Sequence, residues 1–285
     1  MKKKKAILLI CLCVIIGCGA VLIWQEQETY RIRQTAEEAR LAYDQALAKQ
    51  SSHTPTNSPA PTNKPTAAEP HMPSPSLTPT LTPTPTPKEI QQEFIELRSK
   101  YDNEDIVGYL KITGTSIDYP VTHSGDNLFY LHHDIKKQTS EAGWIFMDFE
   151  NDVENDDPNT ILYGHNMRQD IMFHSLRYYQ SWNYFNNHRY VIFNTIYENH
   201  VWEVFSFYRT DTNFQYIQVV FPSDDAFNAL ASEMKARSMY DTGVDIKPGD
   251  RILTLSTCTN ESEDTRFVLN ARRLSPDEIP EDLVR

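Results

Sequence analysis

Residues 254–273 read TLSTCTNESEDTRFVLNARR, two β-rich segments joined by a short polar loop. The first segment belongs to a predicted strand over Arg251–Cys258 and the second to one over Arg266–Leu274. Adjacent strands joined by such a loop pair with each other, so Cys258 and Arg266 are predicted to lie at one edge of a sheet. A cysteine at a strand end, followed by polar residues, is better placed for chemistry than one in mid-core.

Further runs of β-branched and aromatic residues precede this pair, and turn formers separate most of them. The predicted strands are Gly108–Ile112, Ser116–Thr122, Gly143–Phe149, Thr160–His165, Tyr190–Thr195 and Val201–Arg209. Helical patterns occupy Glu89–Tyr101, about Ile171–Phe185, and Asp224–Met239, which Ser223 is expected to cap. Eight strands with few helices predict a mainly β fold, a barrel or a sandwich with helices on its surface.

The N-terminus predicts a membrane anchor. Residues 1–5 contain four lysines, and residues 6–24 carry no charge over a length that can cross a bilayer. The positive-inside rule keeps the lysines in the cytoplasm, so the C-terminal part is extracellular and Trp24 lies at the outer interface. A lipoprotein signal ending at Cys18 and a cleaved signal peptide are the alternatives, but the apolar run is long for either.

Three segments follow this anchor. Residues 25–50 are predicted to form a juxtamembrane helix, either solvated or paired as a coiled coil, with the seam Ile32, Ala36, Ala39, Tyr43 and Ala46. Residues 51–87 form a Pro/Thr-rich linker that reaches about 100 Å as polyproline II and is expected to hold the folded domain away from the bilayer. Residues 88–285 are predicted to form the folded domain.

Charge and cysteine content exclude several classes. The net charge is −12, and residues 88–285 carry 33 Asp and Glu against 18 Lys and Arg, which argues against a nucleic-acid binder. Cys258 is the only cysteine outside the apolar segment. A disulfide scaffold and a zinc site built on several thiolates are therefore excluded.

A cysteine nucleophile needs an acid/base and a group that stabilises an oxyanion. His165 is the best candidate for the first role, because it ends the apolar strand TILYGHN (residues 160–166) just after Gly164, which permits a sharp turn. Arg266 offers several permanently charged donors for the second. No cofactor or metal is needed for a thiol–imidazole pair.

These residues resemble the motifs of the sortases. TLSTC at 254–258 followed by Arg266 looks like the active-site strand pair of that family, and ILYGHN at 161–166 matches its histidine motif. The helix before the cysteine strand and the N-terminal helix resemble class B. Similar stretches include Asp118–Val121, Asn127–Leu131 and Gly143–Asp148, so the resemblance covers nearly all of residues 88–285.

The resemblance implies a closed eight-stranded sortase β-barrel and a membrane-anchored, extracellular cysteine transpeptidase of a Gram-positive cell surface. Cys258 would attack the threonine carbonyl of a C-terminal sorting signal and form a thioacyl enzyme, with His165 as acid/base and Arg266 as clamp. A lipid-linked cell-wall precursor, a peptidoglycan amine or a pilin lysine would take the acyl group. The implied substrate groove consists of Asn127, Leu131, Tyr163, Tyr216, Ile217 and Ser256. Thr259 receives no role.

Other interpretations compete with these. The acidic run between Asp148 and Asp157 is expected to be a solvated loop, since it lacks the EF-hand pattern of a calcium site. The cluster 132–134 (His-His-Asp) is expected to lie at the surface, because no second cluster completes a metal site. A catalytically silent wall-binding or adhesion module on a Pro/Thr stalk is the alternative function. A hydrolytic cysteine peptidase is another, although papain-like signatures are absent.

Overall fold

The computed structural model describes residues 2–52, 88–167, 169–259 and 264–283. Its helices are α1 (Lys2–Ser52), α2 (Gln92–Tyr101), α3 (Phe129–His132), α4 (Trp182–Asn187) and α5 (Asp224–Arg237), with 3₁₀ helices at His174–Gln180 and Glu281–Leu283. Its strands are β1 (Ile106–Lys111), β2 (Asp118–Thr122), β3 (Phe146–Met147), β4 (Asn159–Tyr163), β5 (Asn166–Met167), β6 (Ile171–Met172), β7 (Tyr190–Thr195), β8 (Val201–Asp211), β9 (Ile252–Cys258) and β10 (Thr265–Arg273).

Eight of the described strands close into a barrel in the order β1-β2-β3-β4-β9-β10-β8-β7. The predicted mainly β barrel is therefore confirmed, and the sandwich alternative is wrong. β9 lies between β4, to which it runs parallel, and β10, to which it runs antiparallel. Strand β9 is thus flanked on both sides, which fixes the position of its last residue, Cys258.

Alternation along β9 separates two hydrophobic clusters. Leu253 and Leu255 belong to the main core, together with residues of most barrel strands, α1 and α2. Ile252 belongs to a second cluster on the other face of the sheet, which α5 covers with Phe227, Ala231 and Met234. Since side chains alternate along a strand, Ser256 and Cys258 share the face of Ile252 and point away from the barrel interior.

The region after β4 differs from the expectation. A single helix was predicted over Ile171–Phe185, but the chain forms strand β6, a 3₁₀ helix and α4 there. Asp170 and Met172 both adopt positive φ, a conformation that a right-handed helix excludes. β6 pairs with β5 in a small separate sheet that the sequence did not indicate. The predicted cap of α5 is present, since the Ser223 side chain accepts from the Ala226 amide.

Helix α1 is continuous through the apolar segment and the juxtamembrane segment, and its seam packs on the rest of this chain. Ile32, Ala36, Ala39, Tyr43 and Ala46 are all buried. The Tyr43 ring stacks on Tyr109 of β1, with 3.9 Å between ring centroids. The expected solvated helix and the expected coiled coil are therefore both wrong, because the barrel and α2 of the same chain cover the seam.

Polar contacts reinforce this docking. The Arg31 guanidinium lies 2.6 Å from the carboxylate of the buried residue Asp134, and Tyr101 of α2 donates to the Thr35 carbonyl. The Pro/Thr-rich linker lies outside the described residues, apart from its first two positions, which end α1. Because α1 contacts the barrel before the linker begins, α1 and not the linker sets the distance between barrel and apolar segment. The expectation that residues 51–87 set this distance is thereby corrected.

Glu93 of α2 is a carboxyl whose burial is not fully compensated. The residue is 1% exposed, neither carboxylate oxygen has a hydrogen-bond partner in another described residue, and the Glu93 amide only partly offsets the burial. Burial raises the pKa of Glu93 above its usual value of 4.5. The folded protein therefore holds this proton more tightly than the unfolded chain does, so stability falls as the pH rises above about 4.5.

Replacing Glu93 by methionine is expected to stabilise the protein. The near-isosteric side chain removes an unsatisfied buried group whose burial costs about 1–3 kcal/mol. Thermal unfolding of the full chain in detergent should show the gain at pH 7 and a smaller gain below about pH 4.5, where the carboxyl is mostly protonated in both states. Glu89→Met, at an exposed position, is the matched control. A Glu93→Met midpoint at or below that of the wild type would contradict the prediction.

Candidate active site

Cys258 ends β9 in a partly buried position. Its register partner on β10 is Arg266. Directly opposed residues of an antiparallel pair project to the same face with Cβ atoms about 4.5–5.5 Å apart. The pairing inferred from the short polar loop therefore places the two side chains on the same face of the sheet, where Arg266 Nη1 donates to the Thr265 carbonyl at 3.1 Å.

His165 follows β4, which runs parallel to β9. Tyr163 pairs with Ser256, and the Gly164 amide reaches the Ser256 carbonyl at 3.4 Å. His165 and Cys258 thus each lie two positions beyond the last paired residues, at the same end of neighbouring strands. The two residues are almost a third of the sequence apart, and the pairing of β4 with β9 places them at the same end of adjacent strands.

Gly164 serves close packing rather than a left-handed turn. A Cβ atom built at this position would lie 3.0 Å from the Phe173 ring and 3.3 Å from Ile145. The φ angle of Gly164 is not in the positive range. The expected sharp turn at Gly164 is therefore wrong. Glycine is needed there because a larger side chain would clash with Phe173 and Ile145.

The His165 ring is held by a backbone carbonyl. Its Nε2 lies 2.9 Å from the carbonyl oxygen of Leu131. A carbonyl only accepts, so this bond requires the proton on Nε2 and leaves Nδ1 as the acceptor nitrogen of the neutral ring. Burial lowers the pKa of His165 from its usual 6.5, although the Leu131 bond opposes this. The neutral imidazole is therefore the form at neutral pH.

Asn166, which the sequence reasoning missed, joins the two strand ends directly. Its side-chain amide donates to the Cys258 carbonyl at 2.9 Å. The next residue pairs with β6, so the β5–β6 hairpin begins at this contact. The only signal for it in the sequence is its position immediately after the histidine.

The implied groove residues fall into two groups. Tyr216 is buried above β9, and its hydroxyl lies 2.8 Å from the Ser256 hydroxyl. Burial raises the pKa of Tyr216, the Ser256 bond and the charge of Arg266 lower it, and the charge of a Cys258 thiolate raises it. The Tyr216 phenol therefore lies close enough to Arg266 and Cys258 to interact with their charges. Ile217 beside it is 43% exposed and available for contact.

The second group is organised by Asp148, a residue without an assigned role in the sequence analysis. Its carboxylate accepts from the Tyr163 hydroxyl at 2.7 Å and from the Asn127 amide at 3.0 Å. Asn127 precedes α3, whereas Leu131 lies within it. The resemblance thus identified Asn127 and Tyr163 but not Asp148, the carboxylate that binds both of them.

The competing charged clusters also need correction. Asp148 is buried, and Asp156 forms ion pairs with Arg273 at 2.5 Å and Arg251 at 3.2 Å, so the acidic run is not simply a solvated loop. Asp134 of the His-His-Asp cluster is fully buried against Arg31 and is not a surface residue. These carboxylates stabilise the fold around the site.

The arrangement combines a thiol, a neutral imidazole and a guanidinium at one end of three neighbouring strands. Such a set can support nucleophilic attack on an acyl group with proton transfer and oxyanion stabilisation. A family model described as the Sortase domain matches residues 110–274. The chain belongs to the sortase family. It is accordingly a cysteine transpeptidase of the kind that anchors surface proteins.

Known sortases agree with this assignment at the level of sequence and of structure. Sortase B of Listeria monocytogenes is 39% identical over 175 residues, 61% of this chain and 70% of the relative. A Staphylococcus aureus sortase B–substrate complex is 35% identical, with a TM-score of 0.62 over 66% of this chain and 87% of that one. A sortase B complexed with triglycine is 28% identical, with a TM-score of 0.68 over 86% and 97%. These similarities place the chain in class B.

Proposed function

We propose that this sortase cleaves a C-terminal sorting signal after threonine and transfers the protein to an amine of a cell-wall precursor or a pilin. The pairing of Cys258 with Arg266, and the position of His165 at the same end of the adjacent strand, carry this proposal. A related sortase B has been captured with substrate and another with triglycine, a peptide that ends in a primary amine.

The proposed reaction has two halves. Nδ1 of His165 takes the thiol proton as Cys258 attacks the threonine carbonyl, and the imidazolium then gives this proton to the leaving amine. Arg266 stabilises the oxyanion in both tetrahedral intermediates. In the second half an amine attacks the thioester, its proton passes to His165, and the thiol leaves. The kinetics are therefore ping-pong.

The sorting signal is proposed to bind on the face of β9 that carries Cys258. Tyr216 and Ser256 form a rigid hydrogen-bonded floor, and Asp148 holds Asn127 and Tyr163 in fixed positions. Exposed apolar side chains at Leu128, Phe149 and Ile217 offer contacts to the apolar part of a peptide. Leu131 contributes its carbonyl to the histidine and its partly buried side chain to the core.

The apolar part of α1 is proposed to anchor the enzyme in the membrane. Among the described residues, α1 is the one helix whose length and composition suit a membrane span. With the lysines of residues 2–5 in the cytoplasm, the barrel lies on the outer side. Exported proteins that carry sorting signals arrive on that side.

An intact-mass experiment tests the proposal. The full chain in detergent is incubated with Asn-Pro-x-Thr-Asn and Leu-Pro-x-Thr-Gly peptides, and the expected product is an adduct ending in threonine that hydroxylamine removes. Prior blocking of Cys258 with a methanethiosulfonate reagent should abolish the adduct. A thiol that reacts with the reagent but is acylated by no peptide in the panel would overturn the proposed cleavage after threonine.

Arg266→Lys is expected to lower kcat/KM for transfer by about 10²–10³-fold, because lysine keeps the charge but loses the planar set of donors. Initial rates with the acylating peptide and triglycine measure this effect. Arg273→Lys, the same change at the other end of β10, is expected to stay within about threefold of the wild type. Equal losses in the two variants would contradict the role of Arg266.

A further inference from the structure

A cavity of about 530 Å³ lies between α1 and the β5–β6 hairpin. Its walls are mostly polar and come from three parts of the chain. α1 supplies Gln25, Glu28 and Thr29, the segment before β3 supplies Glu141, and the hairpin supplies Asn166 and Gln169. The space therefore exists only because the juxtamembrane part of α1 is docked on the barrel.

One wall of this juxtamembrane cavity adjoins the candidate active site through Asn166. Asn166 lines the cavity and donates to the Cys258 carbonyl at 2.9 Å. It also directly follows His165, the proposed base. A molecule in the cavity would thus approach Cys258 from the histidine side, whereas the proposed groove for the sorting signal lies around Tyr163 and Tyr216.

The opposite wall begins where the apolar segment ends. Gln25 follows Trp24 directly, and a rise of 1.5 Å per residue places Thr29 only about 8 Å further along the helix axis. If α1 spans the bilayer as proposed, the cavity opens in the headgroup region. A ligand carried by a lipid can reach this opening without leaving the membrane surface.

Strong contacts hold α1 at this position. Arg31 bonds Asp134, and Arg33 donates to the Gln169 carbonyl in the hairpin. Glu28 is bound by Arg31, and hydrogen bonds from Arg31 and Ser140 outweigh burial and keep the pKa of Glu28 below its usual value. The wall that α1 contributes is therefore fixed by charged groups on both sides of the cavity.

We propose that the juxtamembrane cavity binds the second substrate, a peptide that ends in a primary amine and is carried by a membrane lipid. Amide groups of Gln25 and Gln169 match the hydrogen-bonding groups of a peptide chain. The exposed carboxylate of Glu141 attracts the ammonium form of the amine as it enters. The inference rests on the proposed transfer reaction and assigns an entry route to its acceptor.

The transfer step at the end of this route balances without any further reagent. The ammonium loses one proton to solvent, and the neutral amine attacks the thioester carbon at Cys258. The new C–N bond forms first and gives the tetrahedral intermediate, and the C–S bond breaks when this intermediate collapses. His165 accepts the second amine proton and returns it to the leaving sulfur, so the free enzyme is restored.

Two pairs of variants test the cavity in the full chain reconstituted in phospholipid vesicles. Gln25→Trp narrows the mouth at a depth where tryptophan is well tolerated, and Gln27→Trp makes the same change two residues along the helix, outside the cavity. Glu141→Lys reverses a charge at the wall, and Glu89→Lys makes the same change at an exposed position away from it. The acceptor is a triglycine-headed lipid in the same vesicles, and soluble triglycine is the second arm.

Acylation of Cys258 by the sorting peptide is measured separately from transfer. Gln25→Trp and Glu141→Lys are expected to acylate at the wild-type rate but to lose about tenfold in transfer to the lipid-linked amine, the effect of one lost contact of ordinary strength. Both control variants should transfer normally. A parallel loss with soluble triglycine identifies the peptide amine itself as the occupant, whereas unchanged transfer to it identifies the lipid-linked part.

Normal transfer to the lipid-linked amine by both cavity variants would overturn the inference. So would a loss with soluble triglycine alone, or a loss of equal size in acylation. Absence of any acyl adduct on the wild-type protein is a different result, because it contradicts the proposed function rather than the entry route.

Discussion

Cys258→Ala is expected to form no acyl adduct with any sorting peptide and to transfer no peptide to an amine. The reason is chemical, because the thioester needs the sulfur atom and no other side chain at the strand end supplies it. The remaining cysteines, Cys11, Cys13 and Cys18, lie in the apolar part of α1. Intact mass and product chromatography of the same samples measure both half-reactions.

Cys18→Ala is the matched control, since it removes a thiol from the same chain by the same substitution. It should keep wild-type acylation and transfer. Cys258→Ala should also bind the sorting peptide, because the groove around Tyr216 and Asp148 does not depend on the sulfur. A hydroxylamine-sensitive adduct on Cys258→Ala would contradict the assignment of the nucleophile.

The barrel was predictable because its strands are short and bounded by turn formers. All eight predicted strands correspond to barrel strands, although Gly143–Phe149 shrinks to the two residues of β3. Closure itself was not predictable from periodicity, since alternation fits a barrel and a sandwich equally. The closed barrel was predicted from the resemblance to sortases. In the structure, the parallel pairing of β4 with β9 joins the N-terminal strands to the C-terminal strands of the barrel.

The docking of α1 was beyond the reach of the sequence. A seam of alanines with Ile32 and Tyr43 shows that one face is covered but does not identify what covers it. The polar contacts that settle the matter join residues about 100 positions apart, such as Arg31 and Asp134. Neither residue stands out in the sequence, since an arginine on a helix and an acid in a loop are ordinarily solvated.

The candidate site shows the same limit. Cysteine, histidine and arginine were identified because each sits at a strand end, and strand ends are readable from hydrophobic patterning. Asp148 and Asn166 were missed because their importance lies in hydrogen bonds to Tyr163 and to the Cys258 carbonyl. Such contacts depend on strand order in the barrel, which no local pattern encodes.

His165→Gln is expected to lower kcat/KM for acylation by about 10²–10⁴-fold, the usual contribution of a general acid/base. Glutamine retains a donor that can reach the Leu131 carbonyl but cannot take the thiol proton. His200→Gln is the matched control, because His200 is also a histidine whose pKa burial lowers, and it pairs with Glu198 far from Cys258 in the barrel. Similar rates for the two variants would contradict the role of His165.

The pH dependence gives this prediction a second readout. Burial lowers the pKa of His165, so the acid limb of the wild-type kcat/KM profile should lie below pH 6.5. The unfolded chain takes up this proton near pH 6.5 while the folded protein does not, so the wild type loses stability as the pH falls through that value. His165→Gln should lose the acid limb and this part of the stability change together. If the acid limb and the stability change both persisted in His165→Gln, they would belong to another group. A single proton on the buried imidazole should govern the kcat/KM profile and the pH dependence of stability together.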